Sequence, residues 1–277
     1  MSKSIRIRFE DGGDIAVTAR YLDDGEAYVR SQIEQNRDVA RDIFEEFDVD
    51  FDSDTPVVDQ INDLAKTRPG LAATLRGLVI EDTVLPTRLR DKYGEGSFSA
   101  DPDGNAGSLT QGYIPEEDIP YDLSGSQQGI DGFAVDTDGN LVIIEGKAKN
   151  TNGRITFSNS DLDNDGADQL SQAWIEEKFE SLVKNTDTPE QESFIQTLEE
   201  QGYISINNGN VEASGEIKTE LTFYQDGPPT GELASPGLRN PKFRFPSVDR
   251  LEAIKVGNIF DEIGSAETLL RTTVISG

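Results

Sequence analysis

A chain of 277 residues is long enough to bury one sizeable core with a smaller unit beside it. Cys and His are both absent, which excludes disulfides, thiol nucleophiles, imidazole bases and the usual zinc sites, and leaves carboxylate, lysine and hydroxyl chemistry. Asp and Glu number 53 against 25 Lys and Arg, a formal charge of -28 spread along the whole length; with 13 Phe, 7 Tyr and regular apolar periodicity, this describes a folded, salt-adapted protein rather than a disordered acidic chain, since the Debye length falls from about 10 Å at 0.1 M to about 3 Å at 1 M.

The first residues, MSKSIRIRFEDGG, hold no apolar leader segment, and the longest apolar run, residues 141–144, is too short for a bilayer, so a cytoplasmic location is expected. Residues 4–9 and 14–21 alternate around Asp11-Gly12-Gly13 and predict a hairpin. Apolar residues at helical spacing, Ala27, Val29, Ile33, Val39, Ile43 and Phe47, predict one helix over 24–47. Thr55-Pro56 opens a second helix carrying Val57, Val58, Ile61 and Leu64. Residues 1–68 carry no visible chemistry and are read as a small N-terminal α+β extension. Arg68-Pro69-Gly70 starts a helix that reaches about Leu85, where Pro86 kinks or restarts it through Tyr93; Glu81 and Asp82 lie on it. A Gly- and Asp-rich loop over 94–107 precedes a first core strand at 109–114 and a Pro- and acid-rich connection.

Residues 128–149, QGIDGFAVDTDGNLVIIEGKAK, form the strongest local signal in the chain: two apolar runs flank Asp136-Thr137-Asp138-Gly139-Asn140, and Asp-Gly between alternating apolar residues predicts a β-hairpin. Its register places Asp131 opposite Glu145 or Gly146, with directly opposed Cβ atoms about 4.5 to 5.5 Å apart. Glu145 and Lys147 share a strand face about 6.6 Å apart, beside Phe133, Val135, Leu141 and Ile143, while Gly146 offers its backbone. Two carboxylates so placed suit a hard divalent ion such as Mg²⁺, with Mn²⁺ an alternative, and Lys147 supplies positive charge for a phosphoryl transition state. The competing reading is an ordinary acidic hairpin.

Gly129-Ile130-Asp131 followed by Ile143-Ile144-Glu145-Gly146-Lys147 resembles the Asp…Glu-x-Lys signature of the PD-(D/E)XK nuclease superfamily, and Gln169-Leu-Ser-Gln-Ala-Trp174 is similar to the helix that follows in some of its nuclease domains. The Pro before the Asp is absent. The resemblance covers residues 128–182 and implies a restriction-endonuclease-like αβββαβ core in the α/β class with a mixed central sheet, and Mg²⁺-dependent phosphodiester hydrolysis. It further implies Asp131 and Glu145 as metal ligands and Lys147 as the catalytic lysine, with the Gly146 carbonyl completing the protein's contribution. Members often carry a further carboxylate on the helix before the sheet, a role for Glu81 with Asp82 as its competitor.

After the hairpin, Asp161-Leu-Asp163-Asn-Asp165-Gly166 imitates the start of an EF-hand loop, but Gln172 stands where the bidentate Glu belongs, so Asp165 is read instead as the cap of a helix over 167–183. Gln169 on the first turn of that helix is a candidate active-site amide, and Trp174 is core. A further helix over 190–201, a fourth core strand over 216–224 and an edge strand over 251–260 follow, with a terminal helix or strand over 266–275. Arg239, Lys242 and Arg244, interleaved with Phe243 and Phe245, form a compact basic-aromatic cluster suited to binding phosphates and bases.

These readings give a nuclease domain over 69–277 behind the 1–68 extension, acting on nucleic acid, with DNA favoured, in high salt. No membrane partner is expected and a homodimer is compatible. A catalytically inactive nuclease-fold module that binds nucleic acid or protein, or an acidic calcium-dependent interaction protein, are the alternatives.

Overall fold

The computed structural model describes residues 2–8, 14–22, 25–115, 118–119, 130–149, 170–225, 232–233 and 250–255. Strands β1 (Ser2–Arg8) and β2 (Asp14–Leu22) form the expected N-terminal hairpin. The predicted helix over 24–47 is two helices, α1 (Gly25–Gln35) and α2 (Arg37–Glu46). The break falls at Asn36, whose Nδ2 donates to the Gln32 carbonyl at 2.9 Å, alongside its own backbone N–H at 3.0 Å, and to the Thr83 carbonyl at 3.2 Å, which ties the bend to a distant part of the chain. Helices α3 (Val57–Ala65) and α4 (Pro69–Thr83) follow, Pro69 standing in the first turn where its missing N–H has no cost. Val29, Ile33, Phe44, Val57, Ile61, Leu75 and Val79 bury one helical core across α1 to α4, running through the boundary that the sequence suggests at 68/69. The chain then restarts as α5 (Leu85–Tyr93), as Pro86 requires.

Short strands β3 (Phe98–Ser99) and β4 (Ser108–Leu109) pair within the Gly-rich loop. Strand β5 (Gly112–Ile114) begins the main sheet, and β6 (Gly132–Val135) and β7 (Leu141–Lys149) form the central hairpin. Helix α6 (Gln172–Lys184) starts later than expected. Leu170 has φ 66°, which the helix cannot accommodate, and Ser171 caps it by accepting from Trp174 N at 3.1 Å. Helix α7 (Pro189–Glu200) opens with a Thr188/Gln191 capping box. Beyond the expected elements, β8 (Ile204–Asn207) and β9 (Asn210–Ala213) form a hairpin that turns at Asn208-Gly209. The remaining strands are β10 (Ile217–Gln225), β11 (Glu232–Leu233) and β12 (Arg250–Lys255).

The result is an α/β architecture with a mixed eight-stranded sheet in the order β11-β1-β2-β12-β10-β7-β6-β5. The segment expected to be an edge strand is interior: β12 runs parallel to β10 on one side and to β2 on the other. The edge expectation fails because it keeps the N-terminal hairpin outside the sheet. Around the central hairpin the sequence of elements is helix, three antiparallel strands, two helices, the small β8–β9 hairpin, and a strand parallel to β7. One face of β6 and β7 (Phe133, Val135, Leu141, Ile143) packs with Trp174, Ile175 and Phe179 of α6; the other (Ala134, Val142, Ile144) packs with Leu85 and Leu89 of α5. Among the described residues no helix is long and apolar enough to cross a membrane.

Candidate functional site

The turn of the central hairpin is built by one side chain. Asp136 Oδ1 accepts from the N–H groups of Asp138 and Asn140, both at 2.9 Å, while Gly139 supplies φ 82°, and Tyr203 Oη donates to the Gly139 carbonyl at 2.7 Å. This fixes the register as Phe133 with Ile143 and Gly132 with Ile144. One further step along the ladder brings Asp131 level with Glu145, as the sequence requires.

The paired stretch ends there, and the Asp131 carboxylate takes over: its Oδ2 accepts from Gly146 N at 2.7 Å. A Cβ built on Gly146 would lie 3.0 Å from Leu85 Cδ2, 3.6 Å from Asp131 Oδ2 and 3.8 Å from Glu81 Cγ. Gly146 is therefore the point on which α4, α5 and the Asp131 carboxylate converge, and any larger residue would push Leu85 away. Glu81 is half-buried and reaches this point, whereas its competitor Asp82 is exposed.

Glu145 is 1% exposed. Strand alternation turns it to the α6 side with Leu141 and Ile143, away from the side on which Leu85 and Glu81 meet Gly146. The α6 side carries a cation, Lys178, whose Nζ lies 5.4 Å above the Trp174 ring. Burial pushes the Lys178 ammonium below its usual range, with Glu145 and then Glu177 opposing the shift. The expected single face carrying both Asp131 and Glu145 is thus modified: Asp131 leaves the strand and turns its carboxylate to the Gly146 backbone at the strand edge.

Lys147 lies two residues further along β7, paired in register with Phe223; its side chain is outside the described residues. Gln169, the Asp161 loop with Asp163 and Asp165, and the cluster of Arg239, Lys242 and Arg244 also lie outside them. Among the described residues no group of three or more acidic side chains stands close enough to hold a metal ion. The donors gathered near Gly146 are nonetheless all oxygen, from Asp131, Glu81 and the backbone, a set that suits a hard divalent ion retaining most of its waters.

Sequence reasoning does not reach one cluster beside the site. Glu220 on β10 is 0% exposed, and its carboxylate accepts from Lys92 Nζ and Tyr93 Oη of α5 and from Thr222 Oγ1. Its register partner is Ile144, one residue before Glu145. The available signal is a Glu between Thr219 and Leu221 in an alternating strand, sharing its face with Lys218 and Thr222.

Comparison with protein-family models, curated proteins and solved structures returned no match.

Proposed function

We propose that this chain is a divalent-metal-dependent nuclease of the PD-(D/E)XK kind, hydrolysing phosphodiester bonds of nucleic acid, with DNA the favoured substrate, under high salt. The observation that carries the reading is the convergence on Gly146: the hairpin register sets Asp131 level with Glu145, Asp131 bonds the Gly146 N–H, and Glu81 arrives from the preceding helix. The order helix, three strands, helices, parallel strand is what a restriction-endonuclease-like αβββαβ core would have, which supports the same reading.

In this proposal Asp131 and the Gly146 carbonyl would hold Mg²⁺ or Mn²⁺ with Glu81 in reach through bound water, and Glu145, buried on the α6 side of the sheet, would have to turn past the end of the paired stretch to join them. When present, the ion supplies charge stabilisation at the phosphate and a more acidic water. Asp131 is fixed for this by the Gly146 N–H, and Lys147 contributes positive charge toward the scissile phosphate. The burial of Glu145 beside Lys178 favours a second reading, in which Glu145 is structural and the fold binds nucleic acid without cutting it.

The test is Mg²⁺ calorimetry beside a cleavage assay on single-stranded, duplex and branched DNA and on RNA in molar KCl. Glu145→Gln and Asp131→Asn should lose metal affinity and cleavage together, whereas Lys147→Ala should keep metal and lose turnover by orders of magnitude. Cleavage that persists in Glu145→Gln, or metal binding indifferent to both carboxylates, would remove the nuclease reading.

A further inference from the structure

The register of three parallel strands gathers cations at one end of the sheet. Strands β7 and β10 pair from Leu141 with Ile217 to Lys149 with Gln225, and β10 and β12 pair from Glu220 with Arg250 to Gln225 with Lys255. Lys149, Gln225 and Lys255 therefore form a single row across the carboxyl ends of β7, β10 and β12. Residues that pair in register share a sheet face, and every second residue of a strand returns to it. The row thus falls on the face that holds Glu145 and Lys147, with Lys147 one alternation before Lys149.

The sign of charge on that face is opposite to that of the chain. Along β7, β10 and β12 it carries one acid, Glu145, against Lys147, Lys149 and Lys255, whereas the other face sets Glu220 and Glu252 against Lys218 and Arg250. With 53 Asp and Glu to 25 Lys and Arg in the whole sequence, such a gathering of cations reverses the prevailing balance. Its place is also the one at which open α/β sheets take ligands, outside the carboxyl ends of the strands. Neighbouring strands stand about 4.8 Å apart and alternate residues about 6.6 Å, so at the backbone Lys255 lies about 9.6 Å from Lys149, and Lys147 about 6.6 Å.

Resting on the nuclease reading, we infer that the Lys149–Gln225–Lys255 row binds the phosphate backbone of the nucleic acid, continuing the line of positive charge that Lys147 begins. A polyanion is the occupant that this charge selects, because neutralising phosphates with lysine releases condensed counterions whatever the base sequence. Gln225, between the two lysines, adds hydrogen-bonding capacity without charge. Such a row positions the strand and reads no bases.

The experiment measures equilibrium binding of fluorescent single-stranded oligodeoxynucleotides of two unrelated sequences to the full chain, without added metal, across a series of molar-range KCl concentrations. Lys149→Ala and Lys255→Ala should each lower the slope of log affinity against log salt by about 0.7, and the double variant by about twice that, with the same loss for both sequences. Lys149→Arg and Lys255→Arg should keep the slope. Lys218→Ala, which removes a cation from the other face of β10, should leave it unchanged. Lys149→Gln and Lys255→Gln, which shorten the side chain less, should repeat the alanine result at an unaltered melting temperature. An unchanged slope in the double variant, or a loss matched by Lys218→Ala, would overturn the row as a phosphate site and leave the nuclease reading standing if cleavage persists. Binding that follows Lys149 and Lys255 in a chain that cleaves nothing would keep the row and discard the nuclease. Absence of any oligonucleotide binding would overturn the inference.

Discussion

Lys92→Met should destabilise the protein more than Glu220→Leu, although each removes one half of the same pair. Glu220 is wholly buried, whereas 23% of the Lys92 side chain reaches solvent. In Lys92→Met the carboxylate stays where it is, out of water, and the hydroxyls of Tyr93 and Thr222 still donate to it. Breaking a buried pair from this side costs about 3–5 kcal/mol, because a buried charge loses its counter-charge. In Glu220→Leu the ammonium can swing to water, so the cost falls to roughly 1–2 kcal/mol, that of hydrogen bonds lost by Lys92, Tyr93 and Thr222. The double variant Lys92→Met/Glu220→Leu should recover most of the difference, since no charge is left inside. Urea denaturation at a fixed 2 M KCl, with the slopes compared for constancy, measures all three. Equal costs for the two single changes, a reversed order, or simple additivity in the double variant would refute the reasoning.

Asp131→Ala leaves the Gly146 N–H without its 2.7 Å carboxylate acceptor and should cost about 1.5–3 kcal/mol in the same assay, with Asp131→Asn retaining an acceptor and costing less. Gly146→Ala must displace Leu85, an overpacking cost of about 1–3 kcal/mol visible as a lower denaturation midpoint and, on the proposed function, as reduced cleavage. Burial first, then Glu216 and Asp136, raise the Tyr203 phenol above its usual value of 10.0. The folded state therefore holds this proton longer than the unfolded state, so stability is fully present below about pH 10 and declines above it; Tyr203→Phe should flatten that decline in a pH-dependent melting series. Dialysis from 3 M to 0.1 M KCl should lower the melting temperature, because -28 charges on one body lose their screening; an unchanged value would contradict salt adaptation.

The central hairpin is legible in the sequence because its determinants are local: Asp136, Gly139 and Asn140 build the turn, and the turn dictates which residues face each other. The continuous apolar run from Leu141 also signals a strand covered on both faces, and α5 and α6 do cover it. Glu81 is legible as a candidate, but only the packing of Leu85 on Gly146 shows that it reaches the site in preference to Asp82. The break at Asn36 is tied to a partner forty-seven residues away, the Thr83 carbonyl. Glu220 is opaque for a related reason. Alternation in β10 assigns it to one face of the strand, but whether that face meets water or a helix is decided by where α5 lands.

The interior position of β12 bears on how the molecule is made. Strand β2 finds its second neighbour only in residues 250–255, almost the whole chain later. Until the ribosome has released that segment, the N-terminal hairpin has an open flank with unpaired backbone groups, a template for pairing with another nascent chain. The β5–β6–β7 meander, by contrast, joins neighbours close in sequence and has its full set of antiparallel pairings early in synthesis. The β1–β2 hairpin can therefore pair within itself early, but it joins the rest of the sheet only through β12, once residues 250–255 are available.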